Sequence, residues 1–128
     1  MPKLAAPRLL VVDDHELLGR LFRDIASDFC EAWLATSAHQ ALAMIEAQPF
    51  DSVLADANLG GSRSGIWLHQ QIALRWPAIR RCLMSGGDYS PHHDEYVFFM
   101  KPLSLEDLRF AVFGDAAPTG RGVARRAI

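Results

Sequence analysis

The chain has 128 residues, half of them hydrophobic and 22% charged, with a formal net charge of -2. That is single-domain length with an ordinary globular composition, enough to bury a core. It excludes a general basic surface for nucleic acid, and no apolar run approaches the roughly 18 residues needed to span a membrane, so neither nucleic acid nor membrane is an expected partner. Met1 to Pro7 lacks an apolar stretch of signal-peptide length, and Cys30 and Cys82 stand apart without zinc or redox spacing. A reducing cytoplasm, with both thiols buried as small hydrophobes, is the expected setting.

Taken in order, Arg8-Leu9-Leu10-Val11-Val12 is a continuous apolar run between Pro7 and Asp13-Asp14, and predicts a first strand that ends in acid. Adjacent carboxylates repel unless a cation or solvent lies alongside. A solvated turn leading into a helix N-terminus is the competing reading. Leu17, Leu18, Leu21, Phe22 and Ile25 then recur at helical spacing, which predicts an amphipathic helix ending near Ser27 or Asp28. Trp33 to Thr36 is a weaker strand. Ser37 followed by Gln40 fits a capping box for a second helix with Ala41, Leu42, Met44 and Ile45 on its apolar side, stopped by Pro49.

The next stretch, Phe50 to Gly61, organises the rest. Val53, Leu54 and Ala55 read as a strand buried on both faces, since a parallel strand covered by helices shows no polar alternation. Asp56 sits where that strand stops. In open α/β sheets ligands bind beyond the carboxyl ends of the strands, so this acid is a candidate for chemistry; a turn or cap aspartate is the alternative. Gly60, Gly61 and Gly65 make a permissive loop before a third helix marked by Ile66, Leu68, Ile72 and Leu74 and ended by Pro77. Ile79 to Met84 predicts a fourth strand, leading into Ser85-Gly86-Gly87.

Asp88 to Glu95 has no helical period, and Pro91 limits it to a turn or two. Its neighbouring histidines, His92 and His93, lack the spacing of a metal site. Val97 to Met100 is a fifth strand, closing on Lys101-Pro102. Ser104 with Asp107 three residues later starts a last helix whose apolar side includes Leu105, Leu108, Val112 and Phe113. From Gly114 to Ile128 the composition turns to Gly, Pro, Ala and Arg, which predicts a flexible tail after a domain spanning 8–113.

Strands alternating with helices predict a parallel, doubly wound α/β sheet whose strand ends share one edge. Asp13, Asp14, Asp56, Ser85 and Lys101 then become neighbours. Carboxylates of this kind suit Mg²⁺, while a lysine and a hydroxyl can neutralise and orient phosphoryl oxygens, and Asp56 is placed to attack phosphorus.

With these residues in view, the chain resembles the receiver domains of two-component response regulators. Four matches carry the resemblance, in order and in strand context: Val11-Val12-Asp13-Asp14, Leu54-Ala55-Asp56, Met84-Ser85-Gly86 and Met100-Lys101-Pro102. The resemblance implies a five-stranded flavodoxin-like receiver fold that takes a phosphoryl group from a histidine kinase or a histidine phosphotransfer protein. It makes Asp56 the phosphoacceptor, Asp14 a direct Mg²⁺ ligand, Asp13 a ligand through water and the backbone carbonyl of Asn58 a completing one. Ser85 becomes the switch hydroxyl and Lys101 its partner. Phe98 falls at the aromatic switch position, or is a plain core residue.

Two departures stand out. Between Ser85 and Lys101 the chain is short by about a turn and a half of helix, so the fourth helix is expected to be a stub or missing, as in receivers of hybrid sensor kinases and some free-standing ones. No output domain is expected after it, since Gly114 to Ile128 is too short to fold alone, and Arg121, Arg125 and Arg126 of the tail are left for weak contact with a partner. Homodimerisation and a downstream protein target are compatible with this reading. The alternatives are a receiver-like interaction module that is not phosphorylated, and an aspartate-nucleophile phosphohydrolase resembling the haloacid dehalogenases. The hydrolase lacks its usual second acid, because Asn58 stands two residues after Asp56.

Overall fold

A computed structural model describes residues 6–60, 64–86 and 96–114. The elements run β1 (Arg8–Val12), α1 (Glu16–Ala26), β2 (Glu31–Ala35), α2 (Ala38–Ala47), β3 (Ser52–Asp56), α3 (Gly65–Arg75), β4 (Arg80–Ser85), β5 (Val97–Met100) and α4 (Leu105–Phe113). The strands form one sheet in the order β2-β1-β3-β4-β5, and every neighbouring pair is parallel. This is the doubly wound, flavodoxin-like order, with its switch point between β1 and β3. Among the described residues, no helix lies between β4 and β5.

Alternation along the strands sorts side chains onto two covered faces. Leu9, Val11, Leu54, Cys82, Met84 and Phe99 meet Phe22 and Ala26 of α1 and Leu108, Ala111 and Val112 of α4. Leu10, Val12, Val53 and Ala55 meet Ala38, Ala41 and Ile45 of α2 and Leu68 and Ile72 of α3. Both cysteines are buried, and desolvation pushes their thiols up, Cys30 to about 11 and Cys82 to about 12. None of the described helices is long and apolar enough to cross a membrane.

The helical periods are where expected, but three of them turn expected apolar residues outward. In α1 the buried residues are Gly19, Phe22 and Ala26, whereas Leu17 is 74% exposed and Leu21 half exposed. The cause is Gly19: a Cβ there would lie 2.7 Å from Leu34 Cδ1, so the missing side chain lets α1 press its backbone onto β2 and turns the two leucines outward. Leu74 of α3 and Leu105 of α4 are likewise exposed, while Phe110 and Ala111 fill the core.

The caps also divide. Ser104 and Asp107 form the reciprocal capping box at α4. At α2 only half of the box forms: Ser37 accepts from Gln40 N, but the Gln40 side chain accepts from Thr36 N and Thr36 Oγ1. Trp33 is exposed and edge-on to Phe50, and Trp67 and Trp76 pack at the margin of the α2–α3 core. The expectations for His92 and His93 and for the tail beyond Gly114 fall outside the described residues.

Candidate functional site

Strand register assembles the site. Val12 pairs with Ala55, so Asp13 comes alongside Asp56 at the switch point. Ser85 pairs with Met100, one residue before Lys101. Three backbone hydrogen bonds carry the ladder past the strand ends: Asp13 N to Ala35 O at 3.0 Å, Ala57 N to Met84 O at 2.9 Å and Lys101 N to Ser85 O at 2.9 Å. The groups at these ends are therefore fixed by the sheet rather than by loops.

Lys101 Nζ lies at the centre, donating to Asp13 Oδ2 at 2.8 Å and to Asp56 Oδ2 at 2.6 Å. The other carboxylate oxygens are held by backbone amides: His15 N donates to Asp13 Oδ1 and Asn58 N to Asp56 Oδ1, each at 2.9 Å. Asp13 is fully buried, so of the two acids after β1 only the exposed Asp14 sits in a solvated turn. Carboxylate oxygens of Asp13, Asp14 and Asp56 lie within 4.8 Å of one another. The Lys101–Pro102 bond is cis.

Burial pushes the Asp56 carboxyl above the usual aspartate range, against the lowering effect of the Lys101 hydrogen bond, and the nearby Asp13 charge adds to the rise. For Lys101 burial acts the other way and disfavours the ammonium, but its two carboxylate partners together outweigh this and hold its pKa above the usual lysine value.

A cleft of about 440 Å³ opens over these groups, lined by Asp14, His15, Asp56, Asn58, Gly60, Ser85, Gly86 and Lys101. Asp13 lies behind the lining and reaches it through Lys101. Phe98 is not part of the cleft: its ring is buried in a small cluster with Ala57, Leu83 and Tyr96.

Three residues escaped the sequence reading. His15 lines the cleft and caps α1, its Nδ1 accepting from Leu18 N at 3.3 Å. Its place directly after Asp13-Asp14 was the available signal. Gly65 opens α3 with its N donating to Ala57 O. A methyl there would overlap the Asp56 carbonyl oxygen and lie 2.8 Å from its carbon, so only glycine lets α3 start flush against the strand end. His69, fully buried on α3, gave no sequence signal apart from its apolar neighbours. Its Nε2 lies 2.7 Å from Cys82 O, while Nδ1 has no hydrogen-bond partner among the described residues. Desolvation pushes its pKa down to about 4, so the ring is neutral and donates from Nε2. Leaving the bare Nδ1 acceptor buried costs about 1–3 kcal/mol.

A sequence profile of the response regulator receiver domain matches residues 9–112. The chain belongs to that family. Solved receivers agree with it in fold. The receiver domain of NtrX from Brucella abortus is 30% identical, with a TM-score of 0.71 over 78% of this chain and 90% of that one. A CheY-like receiver from Methanospirillum hungatei JF-1 is 24% identical, with a TM-score of 0.70 over 81% and 88%. A response regulator from Burkholderia pseudomallei, solved with a phosphorylated aspartic acid, a calcium ion and citrate, is 22% identical with a TM-score of 0.73. The match covers 83% of this receiver and 66% of that longer chain. A comparison with curated protein sequences returned no match.

Proposed function

We propose that this receiver accepts a phosphoryl group on Asp56 from a phosphohistidine of a cytoplasmic histidine kinase or phosphotransfer protein, and passes the change to a protein target. The supporting observation is the bridge of Lys101 Nζ to both Asp13 and Asp56 at the base of a cleft lined by Ser85. It joins Lys101 to carboxylates 88 and 45 residues away in the chain around one ammonium.

The donor set fits a hard divalent cation. Among the described residues, three carboxylates and a single ammonium meet here, an excess of negative charge, and oxygen ligands with room for water are what Mg²⁺ takes. Asp14 and Asp56, which line the cleft, would hold it directly, Asp13, buried behind the lining, through water, and the Asn58 backbone carbonyl would complete the set. When bound, the cation neutralises phosphoryl oxygens as charge spreads over them.

The chain's own groups do the rest. Asn58 N and Lys101 Nζ orient the Asp56 carboxylate for in-line attack. A P–O bond forms at Asp56 as the P–N bond to the donor imidazole breaks, its electron pair leaving with the ring nitrogen. The acyl phosphate then offers oxygens to the Ser85 hydroxyl and to Lys101, and movement of Ser85 toward them, with Phe98 following, is the switch. Attack of water on phosphorus releases inorganic phosphate and restores the carboxylate. The protein turns over only its own phosphoryl group, and so is a switch rather than an enzyme acting on a separate substrate. The Burkholderia receiver's phosphoaspartate and calcium ion support this assignment by analogy.

Incubation with acetyl phosphate and Mg²⁺ should give a single base-labile phosphoryl adduct by intact mass, absent in Asp56→Asn. An adduct unaffected by that substitution, or none at all, would overturn the reading.

A further inference from the structure

The α3 helix touches the site twice. Its first residue, Gly65, packs on the Asp56 backbone and donates to Ala57 O. One turn on, His69 is held to β4 by the 2.7 Å contact of Nε2 with Cys82 O, and its ring stacks on Tyr96 with centroids 5.5 Å apart and planes 28° apart. Tyr96 immediately precedes β5, and five residues later, at the other end of that strand, Lys101 reaches Asp56 at 2.6 Å. The contacts form a closed circuit: Asp56, Gly65, α3, His69, Tyr96, β5, Lys101 and back to Asp56.

We propose that His69 is a positioning residue that couples the phosphoryl site to α3, its ring stack with Tyr96 transmitting displacement of β5 to the helix. This rests on the assignment of Asp56 as phosphoacceptor. The argument comes from what the ring does that an aliphatic residue would not. A leucine would fill the same core without leaving Nδ1 bare, whereas histidine combines one donor for a central strand with a flat face for the residue leading into β5. Tyr96 belongs to the same small cluster as Phe98, Leu83 and Ala57, against which Ile66 of α3 also packs. A change of packing at Phe98 and Lys101 is therefore felt at both ends of the first turns of α3. The outer side of that helix carries Trp67, whose ring meets His39 of α2 at 5.8 Å, so displacement of α3 against α2 alters its surroundings.

The test reads the indole signals of ¹⁵N-tryptophan protein, assigned by single Trp→Phe variants, before and after acetyl phosphate and Mg²⁺, with adduct formation followed by mass. The wild-type Trp67 signal should move on phosphorylation. His69→Gln keeps an N–H donor for Cys82 O but lacks the ring. It should form the same adduct while its Trp67 shift falls by at least about threefold, the population change that loss of one aromatic pair implies. His69→Phe keeps the ring and loses the donor, and should retain the shift. A full shift in His69→Gln, an equal loss in both variants, or wild-type phosphorylation without movement of Trp67 would each overturn the proposal. If His69→Gln does not fold, Tyr96→Leu removes the other half of the stack and must show the same loss; a full shift there overturns it equally. Absence of the wild-type adduct brings down the phosphoacceptor assignment and this proposal with it, whereas an adduct with an unmoved Trp67 brings down this proposal alone.

Discussion

The two rims of the sheet handle charge in opposite ways. At the amino rim, Arg8 is matched: Nε bonds Glu31 at 2.7 Å, Nη1 and Nη2 reach Pro49 O and Gln48 Oε1 at 3.2 Å, and the guanidinium lies over Trp33 and Phe50 at 5.7 and 5.8 Å. The pair lowers the Glu31 pKa, chiefly through the Arg8 hydrogen bond. At the carboxyl rim, among the described residues, Asp13, Asp14 and Asp56 cluster beside one ammonium that bonds Asp13 and Asp56, and the Asp56 carboxyl has its pKa raised rather than lowered. The first arrangement closes the sheet edge. Among the described residues the second leaves negative charge in excess in a half-buried cleft, an arrangement that opposes folding and that a bound cation would relieve.

Removing the single ammonium should produce the largest effect. Lys101→Met leaves Asp13 fully buried and Asp56 nearly so with no cationic partner, which should destabilise the fold by about 3 kcal/mol in urea unfolding at neutral pH. A loss under about 1 kcal/mol would mean that the amide hydrogen bonds alone hold the carboxylates, and the contrast between rims would fail. Next in size is Gly65→Ala. The added methyl must push the start of α3 off the Asp56 carbonyl, costing about 2 kcal/mol and slowing adduct formation, because the nucleophile moves with its backbone. Arg8→Ala probes the other rim. Its partly exposed bridge and ring contacts should be worth about 1 kcal/mol, with the phosphorylation rate unchanged. A changed rate would show that the two rims are not independent.

These contrasts indicate what could be read from the chain alone. The fold was legible because short apolar runs bounded by turn residues, such as Val53 to Ala55 and Val97 to Met100, read as strands, the first of them buried on both faces, and each ended on a chemical group. The convergence of residues 13, 56, 85 and 101 followed from parallel topology, since strand ends that are remote in sequence share one edge. Helix faces were less legible. Periodicity marks α1 as a helix, but the choice of which residues face the sheet belonged to Gly19, whose lack of a side chain outweighed the hydrophobicity of Leu17 and Leu21. His69 was hidden, and Gly65 legible only as a loop glycine, for a related reason. Their importance lies in what approaches them from β3, β4 and Tyr96, and nothing local encodes that approach.

The smallest expected effect is a change of sign. The folded-state pKa of Asp56 is raised, so its protonated form is the one that folding favours. Its ionisation therefore costs stability at every pH above the raised value, and the cost vanishes below the unfolded-state value. In EDTA at neutral pH, Asp56→Asn should unfold at a higher temperature than wild type, and the gain should close as the pH falls into the range where the wild-type carboxyl protonates. Mg²⁺ should then narrow or reverse the order, because a cation held by Asp14 and Asp56 stabilises only the folded wild type in full, and the variant has given up one ligand charge. Thermal melts at two pH values, each with and without Mg²⁺, separate the two contributions. If Asp56→Asn is less stable than wild type in EDTA at neutral pH, the carboxyl rim is as well matched as the Arg8 rim, and its surplus charge is not what distinguishes it.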